Sequence, residues 1–403
     1  MAGVSGSRPR EAWRVLRENG TRGLAQRVAR VAYNRLGASA LDFPLDVDDV
    51  ADSRGLRLAE PEKRPVRGTP LTVGWVCTPP GPGSGGHTTM FRMVEAVEAA
   101  GHTCVLYLYD RFGGEPARHE QVIRQYWPKL RAEVRSVADG LVDLDAYVAS
   151  AWPTAHLLAA RADLATRRLY FIQDFEPFFY PQGSEYSLAE DTYRFGFRAI
   201  TVGRMLADLL ADRYGIKATV AEFGCDTTTY KLTNPAGDRR GVVFYTKRDV
   251  ARRGYALGML ALREFHQRHP NYEVHLFGDA TVRVPFPATN HGSVKPAKLA
   301  ALYNQCVAGI ALSFTNVSLV PDEMLACGAI PVTGESRYAR VSLDNPYVRW
   351  AAPTPRALAD ELSDIVTGNR ATPTEIAGSV RARAWDSAQQ ATLEAIENEA
   401  YGD

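Results

Sequence analysis

Twice along this chain, short runs of apolar and β-branched residues alternate with amphipathic helical runs. That alternation is the pattern of a parallel sheet covered by helices. The first series opens at residues 71–76, LTVGWV, followed by CTPPGPGSGGHTTMFRMVEAVEAAGHTCVLYLYD. This reads as strand, Gly-rich loop, helix from about Thr88 to Ala100, and second strand, a βαβ opening. It continues through the strand LDAYVAS, a helix from about Ala155 to Leu164, the strands RRLYFIQD and RAITVG, the helix RMLADLLADRYG and the strand ATVAEFG. Residues 227–240, TTTYKLTNPAGDRR, are polar with Pro and Gly and mark a boundary. The second series runs GVVFYTK, YALGMLALREFHQRHP, YEVHLFGD, PAKLAALYNQC and VAGIALSF, and closes with DEMLACG and AIPVTG.

The expected fold class is α/β, with two facing Rossmann-like domains built on parallel sheets and a helical N-terminal extension. Residues 1–70 form the extension and linker. Residues 71–235 form the first domain and 236–385 the second. In the last segment, 386–403, a helix from about Ser387 to Glu399 is expected to cross back. At 403 residues the chain exceeds one average domain. Lys and Arg total 47 against 46 for Asp and Glu, a balance that argues against a nucleic-acid binder. The five cysteines lack a CxxC pair and read as buried thiols, not a zinc or disulfide framework. No apolar stretch reaches spanning length, and the first residues lack a signal peptide's apolar core. The expected location is cytoplasmic. The Arg-rich amphipathic run within residues 1–40 suits packing on a domain or partner, or peripheral attachment to the inner membrane face.

Four stretches could carry chemistry. Gly81, Gly83, Gly85 and Gly86 precede a helix, where backbone can approach a phosphate closely. Their spacing is not GxGxxG and no Lys-Ser/Thr pair follows, which weakens dinucleotide and P-loop readings. His87 and Thr88 can bond a phosphate or a hydroxyl, or Thr88 simply caps the helix. The run FIQDFEPFFYPQGSEY, Phe171 to Tyr186, sets Asp174 and Glu176 at the carboxyl edge of the sheet among aromatic rings. Those rings line a sugar platform or fill the base of the domain. Thr246 and Lys247 end the first strand of the second domain, and Arg252-Arg253-Gly254 follows. Two cations from one loop, Lys247 and Arg253, can stabilise a departing diphosphate. Asp279, after the next strand, either accepts from a ribose or base, or stops the strand. Phe314 to Gly334 reads as strand, helix, turn, strand, with Glu323 at the helix start. That carboxylate either caps its own helix or is held to bind hydroxyls. No cluster implies a metal.

Taken together, these motifs resemble retaining glycosyltransferase family four, of GT-B fold, over roughly residues 71–400. The blocks IQDFEPFFYP and FTNVSLVPDEMLACGAIPV resemble its bacterial rhamnosyltransferase branch. The resemblance implies a nucleoside diphosphate sugar as donor, with dTDP-rhamnose or another dTDP-6-deoxyhexose favoured. The donor would bind the second domain and no further cofactor is implied. It implies a glycan, lipid-linked glycan or glycosylated natural product as acceptor. It places the basic pair on Lys247 and Arg253, the phosphate-loop glycines on Gly85 and Gly86, and the donor-holding acid on Glu323. His87, Asp174 and Glu176 would position donor or acceptor. Thr246, Asp279, Thr315, Asn316, Ser318 and Leu319 complete the expected donor contacts. The chain departs from the family at two points. Thr315 stands where a first acid is usual, so Thr315, Asn316 and Ser318 would make neutral contacts suited to a deoxysugar. Gln173 stands where a His is usual, so that general base is missing. The rival expectations are a non-catalytic scaffold of a polysaccharide-assembly complex and a sugar epimerase on the same fold.

Overall fold

The computed structural model describes residues 43–380 and 385–402. The basic helical pattern expected within residues 1–40 lies outside the described residues.

The first domain is a seven-stranded, wholly parallel sheet. Its strands are β1 (Thr72–Cys77), β2 (Thr103–Leu108), β3 (Glu133–Ser136), β4 (Ala146–Ala149), β5 (Arg167–Ile172), β6 (Arg198–Val202) and β7 (Thr219–Ala221). Their order is β3-β2-β1-β4-β5-β6-β7. Helices α1 (Gly85–Ala99), α2 (Pro116–Tyr126), α3 (Trp152–Ala160), α4 (Ser184–Asp191) and α5 (Arg204–Tyr214) connect them. Because helices cover both faces, the central strands are apolar on both sides. All four residues of β4 and the last five of β1 are buried. Two core clusters result, one on each side of the sheet. Trp75, Phe91 and Phe171 anchor one; Tyr107, Tyr147, Trp152 and Phe175 anchor the other.

Residues 43–69 lie along this domain. Leu45 is fully buried, Asp49 pairs with Arg161 at 2.8 Å, and the Ala51 amide donates to His156 Nδ1 at 3.1 Å.

The second domain is a six-stranded parallel sheet of order β10-β9-β8-β11-β12-β13. Its strands are β8 (Gly241–Thr246), β9 (Glu273–Gly278), β10 (Thr289–Asn290), β11 (Cys306–Ile310), β12 (Ile330–Gly334) and β13 (Arg349–Ala351). The helices are α6 (Tyr255–Arg268), α7 (Pro296–Tyr303), α8 (Val320–Ala326), α9 (Arg337–Ser342), α10 (Pro355–Thr367), α11 (Pro373–Gly378) and α12 (Asp386–Tyr401). The last helix leaves this domain. Its buried Ala388, Ala395, Ile396 and Tyr401 join the Trp75 cluster of the first, and Tyr401 Oη donates to Thr69 O at 2.6 Å.

In both sheets the strand order reverses between the first and fourth strands. Crevices therefore open outside the carboxyl ends of β1 and β4, and of β8 and β11, where α/β proteins bind ligands.

Several boundaries differ from those expected. α1 begins at Gly85, three residues before Thr88, because the first amides of a helix need no intrahelical acceptor and glycine is tolerated there. α3 begins at Trp152, with Pro153 in its first turn, and ends at Ala160. Phe314–Leu319 is not a strand: β11 ends at Ile310, and the segment leaves the sheet to bond the other domain. The final helix is longer than expected, Asp386–Tyr401. Among the described residues, no helix is long and apolar enough to cross a membrane. The five cysteines are buried and unbridged.

Candidate functional site in the interdomain cleft

The loops at the two crevices meet along a seam. After β11, the segment Phe314–Leu319 docks onto the residues following β5. The Phe175 amide donates to Thr315 O at 3.1 Å. Thr315 Oγ1 donates to Asp174 Oδ1 at 2.6 Å. Asn316 Nδ2 donates to the carbonyls of Gln173 at 2.7 Å and Val202 at 2.9 Å. Thr315 and Asn316 are almost wholly buried. Thr315 Oγ1 and Asn316 Nδ2 thus both donate to the first domain, while Asn316 Oδ1 accepts from the Val317 amide at 2.8 Å. In this arrangement the two residues, expected as neutral donor contacts, hold the two domains together. Lower on the seam, Ser342 Oγ accepts from the Met205 amide at 2.6 Å and Tyr338 Oη donates to Asp212 at 3.1 Å.

The basic loop after β8 sits at the same seam. Residues Ala251–Arg253 make one 3-10 turn, and Gly254 ends it with φ at 62°. That left-handed conformation favours glycine. A Cβ there would also come within 2.8 Å of Leu312 Cδ1. Arg253 donates to Ser313 Oγ at 3.2 Å and lines a small recess with Tyr245, Ser318 and Val320. Burial pulls its guanidinium below the ordinary arginine value, and Asp174 acts in the opposite direction. Arg252 extends over the Phe179 ring at 4.6 Å, with Nη2 3.7 Å from Asp174 Oδ2. Lys247 is exposed at the end of β8.

The helix α1 opens beside Gln173. Gly85 and Gly86 are exposed, and a Cβ on Gly86 would lie 3.7 Å from Gln173 Oε1. Helix N-termini attract anions. His87 does not point a free nitrogen at this mouth. Its Nε2 donates to Thr78 O at 2.9 Å, leaving Nδ1 to accept from Ser84 Oγ at 2.8 Å. Burial also lowers its proton affinity. The ring, expected to bond a phosphate or a hydroxyl, is here a neutral brace between β1 and α1 with both nitrogens engaged.

Glu323 lies in the first turn of α8, half-buried. Burial raises its carboxyl to about 7 despite a hydrogen bond from Tyr230; Asp322 and Asp226 push in the same direction, while Arg92 of α1 opposes them. A carboxyl so perturbed, near a cleft, is a functional-site candidate. Its neighbours were not legible as site residues, since Tyr230 and Asp226 fall in the connecting segment after β7.

Two further residues are engaged locally. Thr246 is buried and donates to Phe277 O at 2.9 Å. Asp279 accepts from Thr281 and, at 2.7 Å, from Arg248 Nε; these bonds hold its carboxyl at about 2. Its oxygens are thus already paired. Glu176 is buried behind the seam, where its carboxyl Oε2 accepts from the Trp152 amide and from Tyr170 Oη at 2.8 Å. Burial raises it to about 8.

The seam therefore brings together a helix N-terminus with exposed glycines and an arginine turn; an exposed lysine follows β8, and the helix after the Thr315 segment carries a carboxyl of raised proton affinity. This set can hold an anionic diphosphate and a hydroxylated group together. Two parallel α/β domains with such a cleft define the GT-B class of architecture. The solved structures agree. Anabaena HepE, solved with UDP and glucose, matches with a TM-score of 0.56 at 14% identity over 81% of this chain and 97% of its own. A glycosyltransferase from Rickettsia africae matches at 0.53 and 13% identity over 82% of this chain and 96% of its own. A candidate UDP-N-acetylglucosamine 2-epimerase from Listeria monocytogenes matches at 0.54 and 10% identity, over 82% and 96%.

Sequence comparison is more particular. Residues 132–204 match the family model described as WsaF, N-terminal domain, and residues 240–363 that described as WsaF, C-terminal domain. The O-antigen biosynthesis protein RfbC of Myxococcus xanthus is 29% identical over 345 residues, covering 79% of this chain. The match spans 25% of RfbC's own length.

Proposed function

We propose that this protein is a glycosyltransferase of surface-polysaccharide assembly, moving a sugar from a nucleoside diphosphate to a glycan hydroxyl. The observation that carries this reading is the cleft itself. Arg252 and Arg253 of the β8 loop and the N-terminus of α1 meet at the Gln173–Asp174 corner. Glu323, in the first turn of the helix after the Thr315 segment, carries a carboxyl that feels Arg92 of α1. The matches to WsaF domains and RfbC support glycan assembly, and HepE's complex with UDP-glucose supports a nucleotide sugar on this architecture.

The donor diphosphate lies against Arg253 and Lys247, with Glu323 bonding donor hydroxyls. The glycosidic C–O bond breaks and the diphosphate leaves with the electron pair, its charge met by the two cations. The acceptor oxygen attacks from the same face and its proton passes to the departing phosphate oxygen, giving retention. A thymidine or uridine diphosphate fits equally the chemistry assigned to these side chains. The choice of a dTDP-6-deoxyhexose such as rhamnose rests on the two sequence blocks alone.

Thermal stabilisation by a panel of nucleoside diphosphates and their sugars tests donor binding. An NMR assay of the product's anomeric proton tests retention. Release of free nucleotide only when a glycan acceptor is present supports transfer. Interconversion of the nucleotide sugar with no acceptor would replace it with epimerisation, and an absence of binding and turnover would point to a scaffold.

A further inference from the structure

We infer that Asp174 is a positioning residue: from the first domain it fixes both nucleotide-side loops of the second, so that the cation cluster is set only while the cleft is shut. Its connection to a nucleotide rests on the glycosyl-transfer reading, whereas the loop positioning stands on geometry alone.

One carboxylate serves two loops. Oδ1 accepts from Thr315 Oγ1 at 2.6 Å, which ties down the segment after β11. Oδ2 faces Arg252 Nη2 at 3.7 Å, which ties down the turn after β8. The loops are also joined to each other: the Phe314 amide donates to Arg252 O at 3.1 Å, and Arg253 reaches Ser313 Oγ at 3.2 Å. Asp174, the arginine turn and the Thr315 segment thus form a closed ring of contacts across two domains.

Charge explains why an acid belongs there. Arg252 and Arg253 are adjacent, and the Arg252 charge disfavours that of Arg253, which Asp174 offsets. Arg252 is braced on the outer side by the Phe179 ring, a cation–π contact. Its buried Nε has no hydrogen-bond partner, so the Arg252 side chain is held by Asp174 and the Phe179 ring. Without the carboxylate, Arg252 is free to swing away and Arg253 loses the frame that holds it on Ser313. Thr315 matters through the same carboxylate, which gives a buried threonine on a binding loop a physical reason.

The test compares hydrogen exchange in the full chain and in Asp174→Ala, Asp174→Asn, Thr315→Val and Thr315→Ser. Asp174→Ala is expected to raise exchange in residues 251–254 and 314–319 together, by roughly ten-fold or more, with the core strands unchanged. Asp174→Asn keeps an acceptor for Thr315 and should loosen the 251–254 turn more than 314–319. Thr315→Ser should match the native protein and Thr315→Val should not. Exchange that rises only at 173–179, or nowhere, overturns the inference.

Titration with UDP and dTDP forms the second arm. Weaker binding in Asp174→Ala by about ten-fold, with donor KM rising and acceptor KM unchanged, extends the positioning to the nucleotide. Looser loops with unchanged nucleotide affinity overturn that extension. If the native protein binds neither nucleotide while exchange behaves as expected, loop positioning stands and the glycosyl-transfer reading falls.

Discussion

Replacing Glu323 by Gln should make the protein more stable above pH 7 while removing its turnover. The carboxyl ordinarily titrates at 4.5 and is raised to about 7 in the folded chain, chiefly by burial. The folded state therefore holds this proton more tightly than the unfolded state. Protonation favours folding, so the group imposes no penalty below about pH 4.5. The penalty grows as pH rises through the interval to 7 and is constant above it. Each tenfold change in proton affinity is worth about 1.4 kcal/mol, giving roughly 3 kcal/mol for the whole interval. Glu323 is only half-buried, so screening reduces this to about 2 kcal/mol. A Gln has nearly the same shape, can still accept from Tyr230, and never ionises. Its advantage over Glu should be near zero at pH 4.5 and reach about 2 kcal/mol at pH 8. For a domain of this size that is roughly 4–8 °C in Tm. Thermal melts of both proteins at several pH values, without ligand, read this directly. A difference that does not vary with pH, or a Gln variant less stable at pH 8, would refute the reasoning. Loss of sugar transfer in the same stabilised variant would identify a carboxylate kept for function at a cost in stability.

Three other outcomes are expected. Arg253→Ala should lower turnover by roughly 10²–10³, as loss of a fixed charge stabiliser does, whereas exposed Lys247→Ala should lose about ten-fold, mostly in donor KM; steady-state kinetics separates them. Glu176→Gln should fold within about 1 kcal/mol of the native protein at pH 7, because the carboxyl there is already mostly protonated; Glu176→Ala should cost about 2–3 kcal/mol by orphaning the Trp152 amide and Tyr170 hydroxyl, as denaturant titration would show. Gly254→Ala should cost about 1–2 kcal/mol in stability from its positive φ and the approach to Leu312, and should weaken diphosphate binding by shifting Arg253, measurable by calorimetry.

The two-sheet architecture was legible because both periodicities are local: buried strands are continuous apolar runs, and helices between them repeat at their own period. What escaped reading depends on contacts remote in sequence. Phe314–Leu319 has the apolar and β-branched character of a strand, yet Thr315 bonds a carboxylate 141 positions away and Asn316 a carbonyl 114 positions away. No local pattern carries that information. Asp279 has the right place, at the end of β9, but Arg248 and Thr281 already occupy its oxygens. His87 likewise follows the expected loop, and only its bonds to Thr78 and Ser84 show a brace. The positions of Lys247 after β8, Arg253 in the following turn and Glu323 in the first turn of α8 were legible, because strand ends and helix starts are local signals.

The residues that depart from the resembled pattern are also those on the seam. Gln173 contributes its carbonyl to Asn316, and Thr315 contributes its hydroxyl to Asp174. A glutamate at 315 would set a second acid against Asp174, and like charges at hydrogen-bond distance in a buried site are costly. A threonine there converts that repulsion into a bond between domains. The neutral residue at 315 is therefore explained by cleft closure, whereas Gln173 meets the seam through its backbone carbonyl, which any residue supplies. Thr315→Glu provides the discriminating case. It should open the cleft in small-angle scattering and raise exchange at 251–254, and adding Asp174→Asn should restore closure by removing one of the two charges. A Thr315→Glu protein that stays closed would show that position 315 answers to the ligand and not to its neighbour.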